Sequence, residues 1–384
     1  MNLNPMTRRE LLTGTAAFLA ASGCSSAIVG YSPTSSTPAH CARDDIDSLV
    51  KTHMRDLGIP GLSLAVVKHG ELLFARSYGL NDVELVLPAT NDTVYQLASV
   101  SKIFTSVGVM LLVDAGVLTL DTPVSTLWGK SPASWSDIRI AHLLSHTSGL
   151  AGSITANPRY AAEEVLRRNQ ERFSDAEKLD HFTAAERVEY LAELPLRSAP
   201  GAKWAYNQPG YILLGAIIER LSGHSFASFM RSRVFDPLGM RSAHYGDSRV
   251  VIQGRRQVAY TRQYGPFQNW LWPYASSDYP AAGLNMNAAD AAKLLSAVDR
   301  DLLRPATRDL MWQEVVTADG KRSGYAMGWA VRDVRGRKVV GHEGGGCAWI
   351  SHVPSEQLTA VVLSNLAGSG ADLGDKTLSV LLAD

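Results

Sequence analysis

A serine and a lysine, Ser99 and Lys102, have the residue types and the spacing that suit covalent chemistry. Lys102 is the only charged residue between Ser99 and Val113, which predicts a helix buried on nearly all sides. The i,i+3 spacing places both side chains on one face of the first turn, where an amine can activate a serine nucleophile. A buried lysine is costly unless it is paired or neutral. For this pair alone, the alternative is a helix-capping serine followed by a lysine that reaches solvent.

Three stretches, taken in chain order, carry a resemblance to a known family. They read SVSK at 99–102, PGAKWAYNQPGY at 200–211 and GHEGG at 341–345, with IPG at 59–61, HLLSHTSGL at 142–150 and AGL at 282–284 in support. Together they resemble the serine β-lactamase-related family, which contains class C β-lactamases, D-alanyl-D-alanine carboxypeptidases and similar esterases. One such motif alone is weak, but three in order are a specific signal. The resemblance covers about residues 45–384.

This resemblance implies acyl-enzyme chemistry without a metal or a cofactor. Ser99 would be the nucleophile, and Lys102, desolvated in a cleft, would be partly neutral and take the serine proton. Tyr206 would be the acid/base partner of the lysine; the alternative is a tyrosine packed at a helix start. His342 lies where the family carries Lys or His, and it would orient Tyr206 or contact a substrate carboxylate; the alternative is a structural histidine on a strand. The backbone N–H groups of Ser99 and Gly345 would form the oxyanion hole.

The sequence departs from the family pattern at two motifs. Where the family has Tyr-Ser-Asn, this chain has tyrosine followed by Asn207 and Gln208. If Gln208 replaces the asparagine that binds a substrate amide, its extra methylene moves the carboxamide by about 1.5 Å; Asn207 is the alternative. Gly344 is the third predicted substrate-binding residue. Glu343, inside the third motif, adds a negative charge and disfavours substrates whose carboxylate must dock there.

Three other patterns each allow a chemical and a structural interpretation. Residues 223–227, GHSFA, approach the nucleophile elbow of α/β-hydrolases, but the last glycine and a preceding strand are missing, so Ser225 is predicted to cap a helix. His142 and His146 are i,i+4, but no glutamate follows His142, and no metal site is predicted. The aromatic segment 267–274 either walls an acyl pocket or seals the helical region.

The elements that must position these residues fall into two regions, one of predicted strands and one of predicted helices. Residues 62–67 and 71–76 predict a hairpin, and four apolar runs near the C-terminus predict strands before a last helix at about 372–382. Between them, capping signals at Thr183 and Asn287 and a glycine stop at Gly223 predict helices. The predicted fold class is α/β plus all-α: an antiparallel sheet flanked by helices with a large helical insertion. The predicted C-terminal strands are 326–333, 337–341, 348–353 and 358–364.

The chain divides by prediction into three parts. Residues 1–43 form an export signal and linker, residues 44–120 with 300–384 form the sheet domain, and residues 121–299 form the helical domain. With 384 residues, 37 basic and 37 acidic, the chain can build a sizeable core and has no net charge that favours nucleic acid. The expected partner is a small molecule or short peptide with an ester or amide carbonyl.

The N-terminus carries a targeting segment. Arg8 and Arg9 resemble a twin-arginine export signal, and an apolar stretch, too short for an ordinary membrane span, leads to Cys24 in a sequence similar to a lipoprotein box. Lipidation of Cys24 would tether the protein to a membrane; ordinary cleavage and an uncleaved segment are the alternatives. The predicted location is the periplasm or cell envelope. Cys41 and Cys347 are expected to be free or buried thiols, and a disulfide between them is the alternative.

The sequence therefore predicts an exported serine hydrolase that forms an acyl-enzyme on Ser99, a β-lactamase-related esterase or peptidase. A class C-type β-lactamase or D-Ala-D-Ala carboxypeptidase is the alternative within enzymes. A penicillin-recognising binding or sensor protein that does not turn over is the alternative of another class.

Overall fold

The computed structural model describes residues 38–152, 183–246, 254–262, 265, 267–270, 276–369 and 371–383. The predicted export signal and Cys24 lie outside the described residues, as do residues 271–275 of the aromatic segment. Among the helices that are described, none combines the length and the apolar composition that a membrane crossing requires. Residues 42–384 group into one compact unit.

The described strands and helices follow one another in an order that brings both ends of this unit into one sheet. The strands are β1 Gly61–Lys68, β2 Glu71–Asp82, β3 Leu87–Pro88, β4 Tyr95–Gln96, β5 His244–Tyr245, β6 Tyr260–Thr261, β7 Gln268–Asn269, β8 Leu284–Met286, β9 Ala330–Val334, β10 Arg337–Gly344, β11 Ala348–Val353 and β12 Leu358–Ser364. The helices are α1 Pro38–Leu57, α2 Ser101–Asp114, α3 Val124–Leu127, α4 Ile140–Leu144, α5 Ala184–Ala192, α6 Gln208–Ser222, α7 Phe226–Met230, α8 Ala288–Arg300, α9 Pro305–Met311 and α10 Ala371–Leu381.

The main sheet has seven strands in the order β3-β2-β1-β12-β11-β10-β9, and its neighbours pair antiparallel. The predicted hairpin and the antiparallel sheet flanked by helices are confirmed. The first strand of the hairpin pairs with the last strand of the chain, with Leu64 opposite Val362. The strand expected at 326–333 begins only at Ala330, because Ala326 N–H donates to Trp329 at 2.7 Å and closes a turn.

Side chains alternate along β1 between two cores, as the two-residue period of a strand requires. Val66 packs into the core that α1 and α10 cover, together with Ile46 and Leu373. Ala65 faces the larger core, where α2 and α8 lie. α8 contacts β1 and β12 although its residues fall in the range predicted as helical domain, so this face of the sheet is closed by a helix from the insertion.

Local signals explain the two helices that flank the cleft. α2 is apolar on all sides and buried from Ser101 to Met110, as the single charge in this stretch predicted. α6 begins after Asn207, whose side-chain oxygen accepts from Gly210 N–H, and ends at Gly223 with φ 71°. Glycine suits this left-handed position because it has no Cβ. Ser225 caps α7 by accepting from Ser228 N–H, so the predicted helix cap is confirmed.

Candidate active site

Ser99 lies in a single 3-10 turn, residues 98–100, that leads directly into α2. Ala98, just before it, has φ 45°, a left-handed conformation that is strained for a residue with a Cβ. Ser101 holds this turn, because its hydroxyl donates to Ala98 O at 2.7 Å and accepts from Leu284 N–H at 3.1 Å. The turn therefore presents the Ser99 side chain at the start of the buried helix.

The Lys102 side chain is fully buried and lies against the serine. Its Nζ is 3.1 Å from Ser99 Oγ and 2.8 Å from Ala281 O, and no described carboxylate forms an ion pair with it. Burial lowers the pKa of Lys102 to about 7, while the charge of Asp278 opposes this shift. Lys102 does not reach solvent, so the alternative interpretation of the pair is wrong. At neutral pH a large fraction of this amine is unprotonated and can accept a proton.

Tyr206 approaches the same hydroxyl from the cleft side. Its OH is 2.9 Å from Ser99 Oγ, and its ring lies 4.9 Å from Lys102 Nζ. Burial raises the pKa of Tyr206 to about 12; the bond with Ser99 opposes this, and the charge of Glu343 adds to it. The phenol thus keeps its proton under conditions in which the lysine has lost its own. This difference in pKa suits Lys102 to accept a proton and Tyr206 to donate one.

His342 lies beside this group but is bonded elsewhere. Nδ1 lies against the carbonyl of Glu343, and Nε2 is 3.0 Å from the hydroxyl of Tyr325. Since the carbonyl only accepts, Nδ1 carries the proton and Nε2 accepts from Tyr325. Burial lowers the pKa of His342 to about 3, so the ring is neutral. Its ring centroid is 6.2 Å from that of Tyr206, so it packs near Tyr206 but does not orient it through a hydrogen bond.

The third motif brings β10 against the backbone of the serine. A Cβ on Gly344 would lie 2.0 Å from Leu97 O and 3.2 Å from Ser99 N, so only glycine permits this approach. Gly344 therefore packs closely against the Ser99 turn, and its substrate-binding role stays a prediction. Gly345 follows with φ 56° and is exposed, and its part in the oxyanion hole stays a prediction.

In the second motif, the role of Asn207 differs from the expectation. Asn207 is buried, and its side chain is fully engaged: it accepts from Gly210 N–H and donates to Leu150 O at 2.9 Å and Ala151 O at 2.7 Å. This carboxamide cannot also bind a substrate amide, so Asn207 is corrected from a substrate-binding to a helix-capping residue. Gln208 is half-buried at the first position of α6 and stays a predicted substrate-binding residue.

Sequence reasoning missed three residues that surround this group. His146 and Tyr325 are buried with ring centroids 4.9 Å apart, and Asp278 acts on the charge of Lys102. His146 lies in a supporting motif, where its spacing from His142 suggested only a metal ligand. Tyr325 and Asp278 lie in segments with no recognisable pattern, so only their position in the fold reveals them.

The remaining candidates have structural surroundings. His142 Nδ1 accepts from Arg139 N–H and His146 Nδ1 from Asn207 N–H, and the described residues contain no group of side chains that could hold a metal ion. Cys347 is a buried free thiol, and burial raises its pKa to about 12. The side chain of Cys41 lies outside the described residues.

The helix-flanked antiparallel sheet, with an amine and a phenol meeting at one serine hydroxyl, is the arrangement of β-lactamase/transpeptidase-like serine hydrolases. Residues 46–384 match the family model described as Beta-lactamase, and the chain belongs to this family.

Similar proteins of known name include different kinds of hydrolase. Esterase EstB of Burkholderia gladioli is 33% identical over 210 residues, which is 52% of this chain and 50% of the esterase. Penicillin-binding protein 4 of Amycolatopsis lactamdurans is 29% identical over 334 residues, 80% of this chain and 81% of that protein. The octameric penicillin-binding protein homologue of Pyrococcus abyssi has a TM-score of 0.74 at 25% identity, covering 89% of this chain and 78% of that one. This chain therefore spans about half the length of the matched esterase.

Proposed function

We propose that this protein is an exported serine hydrolase that forms an acyl-enzyme on Ser99 and acts on esters or short peptides. The observation that carries the proposal is that Lys102 Nζ and Tyr206 OH both lie within hydrogen-bond distance of one hydroxyl, at 3.1 Å and 2.9 Å. Fully buried and with its pKa lowered to about 7, Lys102 serves as the base at the pH of the reaction.

The mechanism follows from these positions. Neutral Lys102 takes the Ser99 proton while Oγ attacks the substrate carbonyl, and the oxyanion that develops is held by the N–H groups of Ser99 and Gly345. Tyr206 then gives its proton to the departing oxygen or nitrogen, and the ammonium of Lys102 restores it. In the second half the same groups activate a water that hydrolyses the acyl-enzyme.

The charges around the cleft support uncharged esters or amides as substrates. Glu343 is exposed and close enough for its charge to act on Tyr206, so a substrate carboxylate there would be repelled. His342 is neutral and both of its nitrogens are engaged, so it supplies no cation for a carboxylate. These two features favour an esterase or peptidase over a class C-type β-lactamase, whose substrates carry a carboxylate.

A fluorophosphonate probe tests the nucleophile directly. We expect one adduct by intact mass on the wild-type protein, none on Ser99→Ala, and slow labelling of Lys102→Met. Ser225→Ala is the matched control, because this helix-capping serine lies in the sequence that approaches the nucleophile elbow of α/β-hydrolases. An adduct that persists on Ser99→Ala would overturn the nucleophile.

A panel of substrates tests the reaction. Short-chain nitrophenyl esters, a chromogenic cephalosporin and a D-Ala-D-Ala peptide are compared by kcat/KM. We expect esters to be turned over best. Fast turnover of the cephalosporin or the D-Ala-D-Ala peptide, with inert esters, would indicate a class C-type β-lactamase or a D-Ala-D-Ala carboxypeptidase instead. Stable acylation without turnover would indicate a penicillin-recognising sensor.

The export and tether belong to this proposal as predictions from the N-terminal sequence. Mass spectrometry of the membrane fraction is expected to find a diacylated N-terminal Cys24. A Cys24→Ala variant recovered unchanged in that fraction would reject the tether.

A further inference from the structure

His146 is a buried titratable side chain close to the serine that the proposed mechanism does not use. It is 1% exposed, and its φ of 59° is a left-handed conformation that a histidine adopts at a cost. Its ring lies among the rings of Tyr206, Tyr211 and Tyr325, with centroid distances of 4.5, 5.1 and 4.9 Å. Strain of this kind at a functional site calls for a reason in the contacts that it makes possible.

The contacts of His146 meet on both sides of Tyr206. The carbonyl of His146 accepts from Ala205 N–H at 2.9 Å, and Nδ1 accepts from Asn207 N–H at 3.1 Å. Between these two bonds the imidazole packs on the phenol ring, with an interplanar angle of 47°. One residue thus fixes the backbone before Tyr206, the backbone after it and the ring itself.

The protonation of His146 is fixed by the same geometry. Because Nδ1 accepts from a backbone N–H, the ring proton is on Nε2, which is buried and has no hydrogen-bond partner among the described residues. Burial, and then the charges of Lys102 and His342, hold the pKa of His146 well below its usual range. The ring therefore stays a neutral acceptor and does not exchange protons with the substrate.

We infer that His146 is the positioning residue of Tyr206, which holds the phenol against Ser99 Oγ for proton transfer to the leaving group. This inference rests on the proposed function, since it assigns a partner to the proposed acid. His342, which the family resemblance assigned to this task, is bonded to Tyr325 and has no hydrogen bond with Tyr206.

Two esters of the same acid separate positioning from general structural support. A methyl ester needs a proton on its leaving alkoxide, whereas a nitrophenyl ester leaves without one. Tyr206→Phe is expected to lower kcat/KM by roughly 10²-fold or more on the methyl ester and at least about tenfold less on the nitrophenyl ester. A loss of positioning by His146 substitution should show the same selectivity, with a methyl-ester loss of up to about 10²-fold.

Two substitutions take the contact apart. His146→Asn keeps an acceptor near the Nδ1 position and removes the ring, and His146→Phe keeps the buried ring and removes the acceptor. His142→Ala is the matched control. His142 lies four residues before His146, and its Nδ1 also accepts from a backbone N–H, that of Arg139, at 3.1 Å. Thermal unfolding of each variant reports its folding independently of activity.

The double variant decides the result. In a Tyr206→Phe background, either His146 substitution is expected to change kcat/KM on the methyl ester by less than about twofold, since the group that it positions is gone. Equal losses on both esters, or losses that multiply in the double variant, would overturn the positioning role. If Tyr206→Phe itself spares the methyl ester, the proposed acid fails, and that outcome is distinct from a failure of His146.

Discussion

The acid limb of kcat/KM is the most direct reporter of the proposed base. The limb is expected at about pH 7, because the pKa of buried Lys102 is lowered to about 7 and only the neutral amine accepts the serine proton. A shift from 10.5 to about 7 corresponds to roughly 5 kcal/mol in favour of the neutral form. The rate should therefore rise with pH through 7 and level off above it.

A buried ion pair next to the lysine allows this limb to be moved in both directions. Asp278 and Arg187 are 2.8 Å apart, with side chains only 12% and 13% exposed. The carboxylate raises the pKa of Lys102, and we expect the paired guanidinium to offset part of that effect. Asp278→Asn leaves the cation behind, so the limb should move to lower pH. Arg187→Met leaves the carboxylate behind, so the limb should move to higher pH.

The size of these shifts follows from the loss of one charge near a desolvated amine. A shift on the order of one pKa unit changes kcat/KM about tenfold at pH values well below both limbs, and somewhat less than tenfold near them. At pH 6, Asp278→Asn should then be faster than the wild type relative to its own plateau, and Arg187→Met slower. The opposite signs distinguish electrostatics from simple damage, because damage lowers both profiles without moving the limb.

The assay is nitrophenyl ester hydrolysis at low substrate concentration in buffers of constant ionic strength from pH 5 to 9. Asp290→Asn serves as the matched control, because Asp290 is also buried and paired, with Lys293 at 2.6 Å, whereas the charge that acts on the pKa of Lys102 is that of Asp278. Its limb should stay in place. Limbs that do not move, or that move in the same direction in Asp278→Asn and Arg187→Met, would refute the assignment of the limb to Lys102.

Four further outcomes are expected. Lys102→Met should abolish turnover and stabilise the fold by up to about 5 kcal/mol at pH 6. The pKa of Lys102 in the native state lies below its value in the unfolded state, so the stability of the wild type rises between pH 7 and 10.5. Urea unfolding should therefore show a smaller stability gain from this substitution at pH 10. Gly344→Ala should lower kcat/KM about 10²-fold, since its Cβ would meet Leu97 O at 2.0 Å; an active variant would contradict the close approach. Cys347 should resist iodoacetamide in the native state, because burial raises its pKa to about 12, and react after denaturation. Asn207→Ala should cost about 1 kcal/mol of stability through the lost helix cap, and unfolding by urea that matches the wild type would reject this role.

Much of the fold was predictable because its signals are local. The strands β11 and β12 agree with the predicted runs at 348–353 and 358–364, since apolar runs between turns follow directly from the sequence. The cap at Thr183 and the stop at Gly223 also lie where predicted. The pairing of β1 with β12 could be expected only from the prediction of a single sheet, because pairing between strands that are distant in the chain leaves no periodic signal in the sequence.

The candidate site divides in the same way. The sequence alone determined which groups can react: the i,i+3 pair on an apolar helix, and through the family motifs Tyr206 and the glycines after His342. It misjudged Asn207, because a capping asparagine and a substrate-binding asparagine have the same side chain and differ only in what lies around them.

Only the tertiary structure decided what each group does. Lys102 is suited to the proposed base role because packing removes water from its amine. Ala281 and Asp278, which set its surroundings, come from a segment more than 170 residues later in the chain. Tyr206 is held by His146, and His342 is held by Tyr325, although the motifs alone suggested a direct link between Tyr206 and His342. Burial, charge and hydrogen-bond partners are properties of the folded neighbourhood, so the sequence could name the reacting side chains but not their protonation states.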